Sequence, residues 1–341
     1  MGLPQALERY RAEIDAELRS VLAGYRLPMY DMLRYHLGWQ DEQGNPLPGP
    51  AGKAVRPALC LLACEATAHT CNQALPAAAA LELAHNYSLI HDDVQDDDRE
   101  RRHRPTVWSI WGKPQAINAG TAMWVLANLA TTRLAGRGVS AQKQLHVLYL
   151  LNDTCQKLLE GQYLDISYEG RLDVSVDDYL AMIERKTAAL IARSLEIGAL
   201  LGSDDAHVVR AFARFGRHLG LAFQIRDDLL GIWGDPAVTG KPAASDIRRR
   251  KKTFPIVFAL ERAGGPAREA LARLYQAEAI DEAGVAAVRN LLEEVGARQQ
   301  TARAAAEHAS SALAELDRLV LSPWARRSLE EVARFLAERG F

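Results

Sequence analysis

The chain has 341 residues, of which 48% are hydrophobic, and it carries a formal net charge of −2. This composition supplies a sizeable core, and the near-neutral charge excludes a general attraction to nucleic acid or to an anionic membrane surface. Recognition of a polyanion must therefore come from local clusters of basic residues.

The chain is expected to be helical, because Ala, Leu, Glu and Arg are abundant and no segment alternates in the manner of a strand. We predict an all-α fold, a single large helical bundle in which residues 1–341 form one domain. Helices are predicted over residues 3–36, 53–72, 75–97, 115–134, 140–167, 176–202, 204–232, 252–263, 283–318 and 323–338.

The cysteines and the N-terminus favour a cytoplasmic location. Met1 to Arg11 contain no long apolar segment, so we expect no signal peptide. Cys60 and Cys64 could share a helix face as zinc ligands, but no second Cys or His pair at zinc-site spacing accompanies them. These two, with Cys71 and Cys155, are predicted to be buried thiols in a reducing compartment.

Residues 114–132 carry no charge and nearly match a membrane span in length. Polar residues inside this stretch, among them Gln115 and Asn128, suit a buried bundle helix better than a lipid-facing one. No membrane span is therefore predicted.

Two acidic motifs of similar form lie inside apolar helical segments. They are Asp92-Asp93-Val94-Gln95-Asp96 and Asp227-Asp228-Leu229-Leu230-Gly231. Carboxylates one helical turn apart repel each other unless a cation neutralises them. Carboxylate oxygens are ligands that Mg²⁺ favours, and substrate phosphates commonly complete its coordination. The two motifs therefore predict a shared, metal-filled diphosphate pocket.

Other acidic pairs in the chain are interpreted differently. Asp177-Asp178 follows Ser175, and Asp204-Asp205 follows Ser203, which is typical of acids in the first turn of a capped helix. The pairs at 92 and 227 differ because each lies well inside an apolar helix and precedes a basic loop.

Basic segments follow both acidic motifs. Residues 97–106 contain four arginines in six positions, and the second motif precedes Gly240-Lys241-Pro242 and the run Asp246 to Lys252. A solvated salt-bridge loop is the ordinary interpretation of mixed charge. Because Arg suits bidentate phosphate recognition, we favour anion binding beside the metal face. Gly52 to Pro57 forms a third basic element where a loop enters a helix.

Taken in order, these segments resemble the trans-isoprenyl diphosphate synthases, also called polyprenyl synthetases, and the resemblance covers almost the whole chain. A lone DDxxD motif would be weak support, but the ordered series is specific. Its elements are Gly52-Lys53…Arg56-Pro57, His85-Asn86-Tyr87-Ser88…Asp92-Asp93…Asp96, Arg101-Arg102…Pro105-Thr106, Gly161-Gln162, Lys186-Thr187, Phe223-Gln224-Ile225-Arg226-Asp227-Asp228, Gly240-Lys241-Pro242 and Lys251…Thr253.

The resemblance implies an isoprenoid synthase fold with a central substrate cavity, and a head-to-tail condensation of isopentenyl diphosphate with an allylic prenyl diphosphate. It implies Mg²⁺ as cofactor, with three ions held by Asp92, Asp96 and Asp227, while Asp93 and Asp228 support metal-bound waters. Metal ions and fixed cations would stabilise the charge that develops on the leaving diphosphate.

The same resemblance assigns three further groups of residues. The leaving diphosphate would be held by Arg101, Lys186 and Lys241, with Lys251 nearby. Isopentenyl diphosphate would be bound by Lys53, Arg56, His85 and Arg102. The allylic cation would face oxygen dipoles of Thr187 and Gln224, and the departing diphosphate would take the final proton. Without the resemblance, Gln224 could equally be a buried amide and Lys186 one charge of a solvent-facing run.

Product length is assigned to residues below the first motif. Tyr87 lies five residues before Asp92, about 7.5 Å along the helix axis, where a growing tail would pass, and Ser88 is adjacent. Relatives with an aromatic there resemble medium-chain enzymes. We favour geranylgeranyl diphosphate (C20), with farnesyl diphosphate (C15) as the alternative; Tyr87 could instead be plain core packing.

Four positions depart from the usual family pattern. Ala54 stands where an Arg is usual, His103 replaces a Gly, and Thr121 and Gly231 each replace an acid. The change at Gly231 removes one outer carboxylate, and Ala54 and Thr121 weaken polar support near the substrates.

Three other functions are weighed against prenyl transfer. A class I terpene cyclase would not need the basic set assigned to isopentenyl diphosphate, and it usually carries a different second metal motif. A weakly active or regulatory subunit of a heteromeric synthase would not need both acidic motifs. A purely structural bundle would not explain paired acids inside apolar helices. The resemblance also implies a homodimer, formed through the helix at 115–134.

Overall fold

The computed structural model describes residues 4–47, 52–235 and 244–337, and its regular structure is almost entirely helical. The first eight helices are α1 (Gln5–Glu8), α2 (Arg11–Leu22), α3 (Pro28–His36), α4 (Val55–Ala68), α5 (Leu75–Gln95), α6 (Val107–Trp111), α7 (Lys113–Thr132) and α8 (Ala141–Tyr168). The others are α9 (Val176–Ile183), α10 (Ala189–Gly202), α11 (Ala206–Trp233), α12 (Ser245–Arg248), α13 (Phe254–Arg262), α14 (Gly265–Gln276), α15 (Glu282–Glu294), α16 (Ala297–Leu316) and α17 (Pro323–Ala337). The all-α prediction is confirmed; the single-domain assignment stays a prediction.

Two helices predicted as continuous are divided in the structure. The segment 3–36 forms α1, α2 and α3, and Leu27 is extended because Pro28 follows it. The segment 283–318 forms α15 and α16, with Gly296 between them at φ 71°. Helix α14 is absent from the prediction because the Gly and Pro residues at its start are typical of loops.

A short hairpin separates the first acidic motif from α6. Strand β1 (Glu100–Arg101) pairs antiparallel with β2 (Arg104–Pro105). The connecting residues Arg102 and His103 have φ values of 54° and 60°, the left-handed geometry of a two-residue hairpin turn. A glycine adopts this geometry with less strain, so His103 is a costly replacement in the turn. The arginine-rich segment, predicted as a loop, therefore contains a β-hairpin.

Helices α5 and α11 carry the two acidic motifs near their C-terminal ends. In α5 every residue from Leu75 to Ala84 is buried. Helix α5 packs against α4 and α7, α11 packs against α10 and α16, and α10 also contacts α5. Fully buried side chains such as Ile90 and Phe215 contribute about 1.5–3 kcal/mol each. This packing fixes both motif-bearing helices to a common core.

One acid of each pair at 177 and 204 caps a helix, but the predicted first-turn placement is confirmed only for the pair at 177. Ser175 and Asp178 form a capping box at the start of α9, as the sequence predicts. Asp205 is the N-cap of α11 and accepts a hydrogen bond from the His207 backbone N–H at 2.7 Å. Asp205 thus precedes the first helical turn, and Asp204 pairs with Lys143 at 2.8 Å.

Helix α7 has one buried face and one exposed apolar face. Ala116 and Met123 are fully buried, whereas Ile117 and Val125 are 47% and 50% exposed. The uncharged stretch is thus helical as predicted, but it is not buried throughout. Among the described helices, none combines the length and hydrophobicity needed to cross a bilayer.

The cysteines form no disulfide bond in the described part of the chain. Cys60, Cys64 and Cys155 are buried, whereas Cys71 is only partly buried. Burial raises the pKa of the Cys64 thiol to about 12, which makes a thiolate ligand at this position unfavourable.

Candidate active site

The first acidic motif ends α5, where Asp92 and Asp96 lie near Lys186. Burial raises the pKa of Asp92 to about 6; the charge of Asp96 adds to this effect, and Lys186 and Arg101 oppose it. In this environment the ionised form of the carboxyl group is stabilised when a further cation approaches, which lowers its pKa. The turn that carries Asp92 and Asp96 therefore has the character of a cation site.

Asp93 has a different environment from Asp92. Its side chain is 1% exposed and accepts a hydrogen bond from Arg101 Nε at 2.7 Å. Burial raises the pKa of Asp93, and the adjacent Arg101 opposes that shift. Asp93 thereby anchors Arg101 to the end of α5.

Lys186 and Thr187 lie on a π-helical segment, Glu184–Ala188, that joins α9 to α10. The predicted helix 176–202 is therefore not regular at this point. A Cβ on Gly161 of α8 would collide with the backbone N of Lys186, so a glycine is needed where α8 crosses the segment. Single π turns inside α-helices occur frequently at functional sites.

The Lys186 ammonium group donates a hydrogen bond to Asp165 of α8. Burial alone would lower the pKa of Lys186, but Asp165, Asp92 and Asp96 raise it above its ordinary value. Lys186 is thus held as a cation between α8 and the first acidic motif. The sequence analysis missed Asp165, although it lies one helical turn after Gly161.

A chain of hydrogen bonds connects the π-helical segment to the second motif. Thr187 Oγ1 donates to Gln224 Oε1 at 2.8 Å, and Gln224 Nε2 donates to Asp228 Oδ1 at 3.0 Å. Asp228 is 3% exposed and also accepts hydrogen bonds from the Tyr179 hydroxyl and from the Phe254 backbone N–H, the latter at 2.9 Å. Burial raises the pKa of Asp228 to about 7 despite these donors.

The loops that follow the two motifs also meet. Arg249 donates to Asp98 at 2.6 Å across 151 positions of sequence. Asp246 lies against Gly231, since a Cβ on that glycine would collide with the Asp246 carboxylate. Asp246 therefore supplies a carboxylate where the second motif lacks its last acid, a compensation that sequence spacing alone does not reveal.

A separate basic cluster forms where α4, α5 and the hairpin meet. Arg56 Nη1 lies 3.1 Å from His85 Nε2, and a Cβ on Gly52 would lie 2.6 Å from Arg102 Nη1. Burial, followed by the charges of Arg56 and Arg102, lowers the pKa of His85 well below its ordinary value. The structure thus brings together three of the four residues assigned to isopentenyl diphosphate.

The remaining predicted site residues have fewer described contacts with either acidic motif or with the basic cluster. Lys53 is exposed, with Nζ 5.7 Å from the centre of the Phe335 ring. Lys251 donates from its backbone N–H to Asp246 O at 3.0 Å, which places it beside the second motif. Lys241 lies outside the described residues. Asp227 is partly buried on the same turn of α11 as Asp228.

Tyr87 lies deep in the bundle beneath Asp92. It is 6% exposed, its hydroxyl lies 3.3 Å from Cys155 Sγ, and its ring lies 5.4 Å from that of Trp124. Ser88 bonds back to the His85 carbonyl at 2.8 Å. Tyr87 thus joins α5 to α7 and α8, whereas the Ser88 hydroxyl is engaged within its own helix.

Within the described residues, no three His, Cys, Asp or Glu side chains converge as a complete metal site. The donors present are carboxylates at the ends of α5 and α11, which are hard oxygen ligands suited to Mg²⁺. Mg²⁺ in such sites is commonly bound by one or two carboxylates, with water and substrate phosphates completing the shell. The donor set therefore fits a magnesium site completed by a diphosphate.

A family model described as polyprenyl synthetase matches residues 39–293, a range that contains both acidic motifs, the hairpin and the π-helical segment. The chain belongs to the polyprenyl synthetase family. Family membership agrees with the ordered motifs that the sequence analysis identified.

Curated members of the polyprenyl synthetase family resemble the chain over most of its length. It is 42% identical over 318 residues to a geranylgeranyl diphosphate synthase of Mycobacterium tuberculosis, covering 93% of this chain and 89% of the relative. It is 40% identical over 319 residues to a (2E,6E)-farnesyl diphosphate synthase of the same organism, an alignment that covers 91% of this chain and 86% of the relative. A polyprenyl synthetase structure from Streptomyces coelicolor A3(2) matches this chain with a TM-score of 0.90 and 42% sequence identity. The match covers 97% of this chain and 98% of that structure.

Proposed function

We propose that this protein is a Mg²⁺-dependent trans-prenyltransferase that condenses isopentenyl diphosphate head-to-tail with an allylic prenyl diphosphate. The observation that carries the proposal is the connection between the two acidic motifs through Lys186, Thr187 and Gln224. That connection places an anchored cation and an oriented amide between two carboxylate-bearing helix ends.

The acidic residues would hold the metal that binds the allylic diphosphate. Asp92, Asp96 and Asp227 are the proposed ligands, and three ions per site would match the family. Bound Mg²⁺ supplies charge stabilisation for the leaving diphosphate. Asp93 and Asp228 remain candidates for supporting metal-bound waters, but their contacts favour holding Arg101 and Gln224 in place.

The protein's own cations and dipoles serve the two halves of the reaction. Lys186 and Arg101 would receive the departing diphosphate, with Lys241 and Lys251 from the following loop. Because Gln224 Nε2 donates to Asp228, its Oε1 atom is turned toward Thr187, and the two oxygens form a dipole pair suited to an allylic cation. The departing diphosphate would take the proton that the product loses.

The second substrate would bind at the basic cluster. Arg56, His85 and Arg102, together with Lys53, present cationic and polar groups toward a diphosphate. A terpene cyclase has no second diphosphate to bind and therefore no need of this cluster. A catalytically silent subunit is likewise disfavoured, since both acidic motifs are present and the hydrogen bonds from Thr187 through Gln224 to Asp228 are intact.

The product proposed is geranylgeranyl diphosphate, with farnesyl diphosphate as the alternative. The two M. tuberculosis relatives carry one of these names each, and their identities of 42% and 40% do not separate the products. Tyr87 supports a medium chain, because its ring closes the space beneath Asp92 between α5, α7 and α8.

A homodimer is proposed from the surface of α7 and α8. Beyond Ile117 and Val125, both helices expose large apolar side chains, including Leu129, Leu145 and Tyr149 at 47%, 68% and 65%. A concentration of exposed apolar side chains on two helices that contact each other favours an association surface. The free cysteines support the proposed cytoplasmic location.

The decisive experiment is incubation of the protein with Mg²⁺, isopentenyl diphosphate and each of the C5, C10 and C15 allylic diphosphates, followed by chain-length measurement of the dephosphorylated products. Asp92→Asn and Asp227→Asn should each lower kcat/KM at least about a thousandfold, or about 4 kcal/mol. Asp204→Asn, which changes a 93% exposed side chain away from the site, should remain within twofold. Absence of prenyl diphosphate products with every primer would refute the proposal.

A further inference from the structure

The C-terminal end of α3 holds the arginine hairpin in place. Tyr35 donates a hydrogen bond from its hydroxyl to the Pro105 carbonyl at 2.7 Å. Arg104 stacks over the Tyr35 ring at 4.0 Å and donates to the Tyr35 carbonyl at 3.1 Å. The position of the hairpin, and with it that of Arg102, therefore depends on α3.

His36 is the last residue of α3 and faces the inner side of the hairpin. Its Nε2 atom is buried and makes no hydrogen bond of normal geometry in the described part of the chain, although Asn86 lies within interaction distance of the ring. His36 shares a cavity of about 20 Å³ with Asp93, Arg102 and Thr106. Such a space holds about one water molecule and is too small for a diphosphate. His36 must therefore act on the site through its neighbours.

The surrounding charges determine what His36 can do. Burial lowers the pKa of His36 to about 3; the charges of Arg102, Arg101 and Arg104 add to this effect, and a hydrogen-bonding contact with Asn86 opposes it. A neutral imidazole offers one nitrogen lone pair, whereas guanidinium groups carry only donors. His36 thus provides an acceptor inside an arginine cluster without adding positive charge to it.

We infer that His36 is a positioning residue for Arg102, which it orients toward the diphosphate of isopentenyl diphosphate. The guanidinium of Arg102 lies against Gly52, and Arg102 lines the same small cavity as His36. An acceptor at His36 fixes which of the Arg102 donors remain directed at substrate. The inference rests on the proposed function and extends it to a residue outside every sequence motif.

The test compares His36→Phe, which keeps a planar ring and removes the acceptor, with His36→Gln, which retains an acceptor. His36→Phe should raise KM for isopentenyl diphosphate about tenfold, while KM for the allylic diphosphate and kcat stay within twofold. His36→Gln should restore the isopentenyl KM to within threefold of wild type. His207→Phe, an exposed histidine at the start of α11, is the matched control and should leave all three constants unchanged.

Several results would overturn the inference. An unchanged isopentenyl KM in His36→Phe, equal increases in both KM values, or no recovery with Gln would each exclude a specific positioning role. His36→Leu is the second apolar variant if Phe prevents folding. If wild-type protein makes no prenyl diphosphate, the proposed function fails, and calorimetric binding of inorganic diphosphate to wild type and His36→Phe still decides the positioning role.

Discussion

The second aspartate of each acidic motif is buried and holds a neighbouring side chain. Asp93 accepts a hydrogen bond from Arg101, and Asp228 accepts one from Gln224. Both donors are residues to which the proposed function assigns a contact with substrate. Buried hydrogen-bonded pairs of this kind fix side-chain orientation at low dielectric, so each doublet combines a carboxylate that we propose as a metal ligand with one that orders its neighbours.

The ionisation of Asp92 should affect stability in the absence of metal. A carboxyl whose pKa is about 6 in the folded protein and about 4 in the unfolded chain binds its proton more tightly when folded. Its stabilising contribution is therefore complete below pH 4 and is lost as the pH rises through 6. The shift corresponds to at most about 3 kcal/mol, and partial exposure of the side chain reduces this to about 2 kcal/mol.

Urea unfolding of wild type and Asp92→Asn at pH 4 and pH 7, both without Mg²⁺, measures this effect. The wild type should lose about 2 kcal/mol more than the Asn variant between these pH values. The Asn side chain is neutral throughout, so other titrating groups cancel in the comparison. Parallel pH dependences in the two proteins would contradict a raised Asp92 pKa.

Tyr87 should limit product length. Its ring fills the space between α5, Trp124 and Cys155, and Tyr87→Ala would open that space to a longer apolar tail. We expect the average product to lengthen by at least one five-carbon unit in Tyr87→Ala, as measured by chromatography of the dephosphorylated products. Tyr87→Phe keeps the ring and Ser88→Ala changes a hydroxyl engaged within α5, so neither should lengthen the product. An unchanged product from Tyr87→Ala would show that Tyr87 is only core packing.

The π-helical segment is the element on which the candidate site depends. It carries Lys186 toward the first motif and Thr187 toward the second, although the two residues are adjacent in sequence. Its backbone is approached by Gly161 of α8 and, at Ala188, by Gly220 of α11. Close helix contacts at these glycines keep the irregular turn in register between α8 and α11.

Gly161→Ala should therefore affect both stability and turnover. The added Cβ would collide with the Lys186 backbone, and overpacking of this kind costs about 1–3 kcal/mol. We expect a lower free energy of unfolding and a kcat reduced at least tenfold, because Lys186 and Thr187 must move together. Gly170→Ala, where nothing lies within 4 Å of the added Cβ, is the matched control. If Gly161→Ala had wild-type kcat, the geometry of the π-helical segment would not be required for catalysis.

At the scale of the whole molecule, helices α7 and α8 each expose large apolar side chains to solvent while burying others in the core. Helix α7 packs its buried face on α5, which carries the first acidic motif. Its exposed side, like that of α8, carries large apolar side chains. Association through this face would restrict the motion of α7 and α8. Because Tyr87 contacts both helices, it would also restrict the part of the candidate site beneath Asp92.

The proposed dimer predicts a particle of twice the chain mass in light scattering coupled to size-exclusion chromatography. Leu129→Arg places a charge on the exposed face of α7, and we expect it to shift the particle toward the monomer mass because burying an unpaired charge is costly. Val320→Arg changes a fully exposed residue before α17 and should leave the mass unchanged. A monomeric wild type would refute the proposed association.

The sequence by itself determined the helical class, the two acidic motifs and the basic segments that accompany them. These features are local, because helix periodicity, caps and short motifs depend on residues within a few turns of one another. The order of the motifs along the chain carries the resemblance to the polyprenyl synthetases, and that resemblance implies the reaction class. Gln224 and Lys186, which are ambiguous when taken alone, are assigned to the site by the same resemblance.

Tertiary structure alone decided which of these groups meet. The carboxylate of Asp246 beside Gly231, the acceptor Asp165 for Lys186, and the buried His36 beneath the hairpin all involve partners distant in sequence. The irregular turn at 184–188 likewise depends on packing against α8 and α11. The division of the helices 3–36 and 283–318, in contrast, follows from the local effects of Pro28 and Gly296. The long-range contacts arise when remote segments share one core, and the energy of that packing is absent from any local pattern.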